Sequence, residues 1–149
     1  MASFAELIAE SYYSTVNLTW NLSGPKRSTA NFSIESIEVQ VLFEQQESGA
    51  AWNVSFDVQK GEARQAVHAS FQIFNGVFQA VHEFLEVRNP ELLVFATKRD
   101  SLAGIYQTYL RREQPEIERL GYQIEGPEKV SPYQEFTLRR IAPSHWVQP

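Results

Sequence analysis

The sequence predicts an α+β fold: a mixed, mainly antiparallel sheet with two principal helices packed on it. Three observations carry this prediction. Between Val16 and Val58 apolar and polar residues alternate with a period of two. From Val67 to Leu85 apolar residues recur at spacings of four and three. Leu92-Leu93-Val94-Phe95-Ala96 is an unbroken apolar run. Alternation marks half-buried strands, the wider spacing marks a helix face, and the unbroken run marks a strand covered on both sides. A strand, a helix and a buried strand in succession form a parallel crossover, expected to be right-handed.

Each element has its own signature. Ser3-Phe4-Ala5-Glu6 has the form of a capping box, in which hydroxyl and carboxylate satisfy free backbone N–H groups, and opens a short helix ending near Ser11. Val16, Leu18, Trp20 and Leu22 alternate with Asn17, Thr19 and Asn21 until Gly24-Pro25 breaks the strand, and Pro25–Asn31 reads as a polar loop. Phe32 and Ile34, then Ile37, Val39, Val41 and Phe43, resume the alternation with a frame shift that implies a bend near Glu35-Ser36. Trp52, Val54, Phe56 and Val58 form the returning arm of an antiparallel hairpin.

After Lys60-Gly61 the helical stripe comprises Val67, Phe71, Phe74, Phe78, Val81 and Leu85, widened by Ile73, Val77 and Phe84 into a face that can cover a sheet. Asn89-Pro90 ends it, because proline disfavours a helical residue before it. The buried strand follows. Asp100 or Ser101 is expected to cap a second helix with Leu102, Ile105, Tyr106, Tyr109 and Leu110 on one side, Pro115 restarting or kinking it and Gly121 stopping it. Tyr122 and Ile124 begin a strand, Gly126-Pro127 starts a loop, and Tyr133–Ile141 is the last strand.

Length and composition agree with one globular domain over residues 1–141 and an extended tail over 142–149. The absence of cysteine excludes disulfides, thiolate metal sites and cysteine nucleophiles. A net charge of −5 offers no footprint for nucleic acid; Lys98-Arg99 and Arg111-Arg112 form the basic cluster and read as a solvated helix face, with an anion or RNA contact as the alternative. No apolar run reaches the ~20 residues of a membrane span and no leader pattern precedes the first helix, so the expected location is cytoplasmic. The tripeptides beginning at Asn17, Asn21, Asn31 and Asn53 match the glycosylation pattern, but they also suit the solvent side of alternating strands.

The order of elements, with Leu92-Leu93-Val94-Phe95, Tyr106 and Leu120-Gly121-Tyr122 as landmarks, resembles the C-terminal half of the GCN5-related N-acetyltransferase fold. The stretch Phe95–Tyr106, with Arg99 ahead of a helical tyrosine, is also similar to small uncharacterised proteins encoded by bacteriophages. The acetyltransferase resemblance implies coenzyme A on helix N-terminal amides at Gly61 and Ala63, and Tyr106 as the acid that protonates the departing thiolate. In that loop Val58 stands where the family has Gln or Arg, and Glu62 adds a carboxylate; Tyr106 sits on the apolar stripe.

Other chemistry is sparse. His68, His82 and His145 do not form a ligand set, and no metal site is expected. Aromatic residues make up 13% of the chain, and Trp146, Tyr12, Tyr13 and Trp20 are the candidate anchors for a partner. The expected function is therefore non-enzymatic binding of another protein, in a phage setting of host takeover, counter-defence or the virion, with no cofactor. Self-association through the surplus aromatics would give a homo-oligomer. The alternative is an acetyl-CoA-dependent N-acyltransferase with a degenerate pyrophosphate loop.

Overall fold

The computed structural model describes residues 16–47 and 49–141. The expected helix at Ser3–Ser11 and the tail at 142–149 lie outside them. The elements are β1 (Thr19–Gly24), β2 (Arg27–Ile34), β3 (Ile37–Gln45), β4 (Ala51–Lys60), α1 (Ala63–His68), α2 (Ser70–Arg88), β5 (Leu92–Thr97), α3 (Asp100–Arg119), β6 (Tyr122–Val130) and β7 (Tyr133–Arg140). The strands form one mixed seven-stranded sheet in the order β1-β2-β3-β4-β5-β7-β6. The β4–β5 pair is parallel and sets Trp52 beside Leu93 and Val54 beside Phe95, while β1–β2, β5–β7 and β6–β7 are antiparallel. The α+β class and the parallel crossover are thus as the sequence predicts.

Four expectations about the strands and the first helical segment need correction. The supposed loop Pro25–Asn31 contains most of β2: Ser28, Thr29 and Ala30 are small side chains that are buried, and Thr29 and Ala30 pair with Asn21 and Trp20 of β1. The bend at Glu35-Ser36 is a full reversal between β2 and β3, with Glu35 at φ 54°. The helix after Gly61 is two helices, α1 of six residues and α2 of 19, divided at Ala69. Gly126-Pro127 does not end β6; the strand continues to Val130 through a register shift between Glu125 and Glu128, where glycine accepts φ 107°.

The chain divides into two compact units: residues up to Phe43 with Phe56–Phe84, and Glu44–Ser55 with the chain from Leu85 onward. In the first, α2 lies on the apolar sides of β2 and β3. Phe43 and Phe84 stack with centroids 4.1 Å apart, Phe56 meets Phe74 edge to face at 5.3 Å, and Phe32 closes over Gly76. Gln79 holds the approach to β1 from both sides: its Oε1 accepts the Val16 N–H at 3.0 Å and its Nε2 donates to the Val16 carbonyl at 2.9 Å.

In the second unit α3 packs along β5 and β6 and buries Ala103, Tyr106, Tyr109, Leu110 and Ile117 against Leu93, Phe95, Phe136 and Leu138. Ile105, expected on that stripe, faces outward. The cap position of α3 is Arg99, without a side-chain cap; Asp100 and Ser101 are its first helical residues, and the Asp100 carboxylate instead accepts from Gln134 Nε2 at 2.6 Å. Pro115 is accommodated inside the helix, and Gly121, at φ 101°, stops it as expected. Asn89, at φ 48°, ends α2 just ahead of Pro90.

Candidate interaction edge

A sheet that is not closed into a barrel has two outer strands, and here they are β1 and β6. Outer strands present unpaired backbone N–H and C=O groups, which proteins protect from unwanted pairing with charge, proline and bulges. β6 carries all three protections. Glu125, Glu128 and Lys129 are charged, Pro127 removes a donor, and the register shift between Glu125 and Glu128 interrupts the ladder. β1 reads Thr-Trp-Asn-Leu-Ser-Gly and contains neither a charge nor a proline.

The geometry of β1 follows from its own sequence. Thr19, Trp20 and Asn21 pair with Asn31, Ala30 and Thr29 in regular register, and the ladder loosens between Asn21 and Gly24. Trp20 is half-buried, its ring 5.7 Å from that of Phe43, so this candidate anchor is committed in part to its own core. Leu22, two residues on, extends past that cover and is 65% exposed. Among the described residues, nothing pairs with the outer side of β1. Tyr12, Tyr13 and Trp146 lie outside the described residues.

The residues of the acyltransferase reading are placed as follows. Gly61, at φ 128°, packs against β3: a β-carbon there would stand 3.2 Å from Ile37 Cγ1. Its glycine character therefore serves a close backbone crossing. Ala63 begins α1, which is a single short helix. Tyr106 is 3% exposed, with its ring 5.5 Å from Phe95 and 6.3 Å from Phe136, and burial pushes its phenol up to about 12. The phenol is thus enclosed in the second unit's core.

Two of the basic residues each lie over a tyrosine ring of their own. Arg112 stacks over Tyr109 at 4.3 Å and Lys98 over Tyr133 at 5.2 Å. No group of three or more His, Asp or Glu side chains among the described residues could hold a metal ion, and no helix among them is long and apolar enough to cross a membrane. Comparison with models of known protein families gives no match, and none is found among curated proteins.

Sequence reasoning names Trp20 as a candidate anchor and reads Leu22 only as a residue of the same strand face. A strand's periodicity shows which residues share a side, but whether that side is covered depends on what lies beside it. The missed signal was the contrast in charge and proline between Thr19–Gly24 and Tyr122–Val130.

Proposed function

We propose that this chain works by binding another protein, and that β1 is where it does so. The partner contributes an extended segment that adds to the sheet as an eighth strand beside β1. Main-chain hydrogen bonds supply affinity, and an apolar side chain placed beside Leu22 supplies selectivity. One observation carries this reading: both outer strands shift register once, but β6 adds charge and proline, and β1 has neither while exposing Leu22. The likeness to phage-encoded proteins directs the search toward host and virion proteins.

The test compares proteins captured by the wild type, by Leu22→Lys and by Val130→Lys. Leu22 and Val130 are both exposed, so neither variant disturbs a core. The proposal expects a partner retained by Val130→Lys and lost by Leu22→Lys, followed by amide exchange protection in Thr19–Leu22 when the purified partner is added. A partner that binds Leu22→Lys as well as wild type, or protects another segment, refutes it.

A further inference from the structure

The first unit has a second surface, which meets the edge of β1 at Thr19. On the face of the sheet turned away from α2 lies a cleft of about 620 Å³, within the ~300–1,000 Å³ range of small-molecule sites. Phe32 and Val39 take part in its floor, but both are buried, and strand alternation turns their side chains toward α2. What they offer the cleft is peptide backbone. The walls come from their neighbours of opposite parity, Asn31 and Ser33 on β2 and Glu38 and Gln40 on β3, closed by Thr19 on one side and Gln59 on the other.

The chemistry of this lining is narrow. Asn17, Asn31, Gln40 and Gln59 are primary amides, each with a two-proton donor and an acceptor a fixed distance apart. Thr19 and Ser33 add hydroxyls that donate and accept, and Glu38 is an acceptor. Gln59 turns its Nε2 to Asp57 at 3.1 Å, which leaves its carbonyl oxygen for the cleft.

Charge excludes one class of ligand. Among the described residues no Lys, Arg or His lines the cleft and Glu38 is the one ionised group, in a chain of net charge −5, so phosphates and carboxylates are repelled. Polarity excludes another. An apolar ligand would strip water from the amides and return no hydrogen bonds.

What complements a row of amides, hydroxyls and one carboxylate is a neutral molecule with adjacent hydroxyl groups. Each hydroxyl pair on such a molecule can donate to an amide or carboxylate oxygen and accept from an amide N–H. We infer that this cleft is a binding site for a neutral saccharide, held by Asn31, Gln40, Glu38 and Gln59 over the backbone of β2 and β3.

The experiment is a titration of the intact chain, followed by its amide side-chain NMR signals. The probes are neutral mono- and disaccharides (glucose, galactose, mannose, N-acetylglucosamine, maltose, lactose), with glucose 6-phosphate and putrescine as charged controls. The expected result is saturable movement of the Asn31, Gln40 and Gln59 NH₂ signals with at least one neutral sugar. Glucose 6-phosphate should bind more weakly than glucose. Gln40→Leu and Asn31→Ala should each weaken sugar binding by about tenfold, while Leu22→Lys leaves it unchanged.

Three results overturn the inference: no sugar moving these signals, sugar binding unaffected by both cleft substitutions, or putrescine binding where sugars do not. A failure here leaves the β1 edge untouched, because Leu22→Lys reports on that edge alone.

Discussion

The ring of Phe32 closes over Gly76, so that a β-carbon on residue 76 would overlap Cζ and stand 2.9 Å from Cε1. Glycine in mid-helix is ordinarily a weakness of about 1 kcal/mol relative to alanine. Here the close approach outweighs propensity, because Phe32 is 4% exposed and has nowhere to move in a close-packed core. Gly76→Ala is expected to lower unfolding free energy by up to about 2 kcal/mol net, since overpacking typically costs about 1–3 and the helix gains about 1. Combining it with Phe32→Leu should recover part of the loss, read from paired urea titrations.

Phe43 and Phe84 stack at 4.1 Å with planes 9° apart, and both are almost wholly buried. Phe84→Ala removes the stack and leaves a cavity, at an expected cost of about 3–5 kcal/mol. That is a large share of the ~5–15 kcal/mol that holds a typical domain. Phe84→Leu, which keeps most of the volume, should lose less than half as much in the same denaturation experiment.

Tyr122 is wholly buried, and its hydroxyl donates to the Pro90 carbonyl at 2.5 Å beside Asn89 Oδ1 at 3.1 Å. Tyr122→Phe keeps the ring and deletes the donor, leaving a buried carbonyl without its partner. A loss of about 1–3 kcal/mol is expected, with unchanged circular dichroism.

Burial raises the phenol of Tyr106 to about 12 from an ordinary 10.0, and raises those of Tyr109 and Tyr122 as well. A raised phenol favours the protonated, folded form, so its contribution is fully present below pH 10 and is lost as pH climbs toward 12. Tyr106 alone accounts for about 2–3 kcal/mol of that decline. Unfolding free energies measured at pH 8, 9.5 and 11 should therefore be flat and then fall, and Tyr106→Phe should make the fall shallower.

Acetyl-CoA at millimolar concentration is expected to leave the melting temperature unchanged. A ligand that binds the native state stabilises it by mass action, so a concentration-dependent rise would favour the acyltransferase alternative.

The strongly periodic parts of the fold were legible in the sequence. The alternation of Ile37–Phe43 and Trp52–Val58, the unbroken run Leu92–Ala96 and the stop at Gly121 all correspond to observed elements, although β5 is not covered on both sides as its run implies, since Leu92 and Val94 are half-buried and Ala96 is exposed. The misread parts are those where local chemistry and tertiary placement disagree. Ser28 and Thr29 look like loop residues yet are buried in β2, and Gly126-Pro127 looks like a terminator yet sits in a bulge. The candidate site was the least legible. Strand order decides which strand lies outermost, and the cleft takes residues from four stretches between Asn17 and Gln59 that only pairing brings together.

The two compact units are interleaved along the chain, since Phe56–Phe84 of the first interrupts Glu44–Ser55 and Leu85 onward of the second. Neither can be excised as one uninterrupted fragment, and although a nascent polypeptide has supplied all of the first once Phe84 has emerged, the early piece of the second, Glu44–Ser55, is still without its remainder. Ala51–Val54 must wait at the ribosome exit, edge unpaired, until Leu92–Phe95 has emerged to lie alongside.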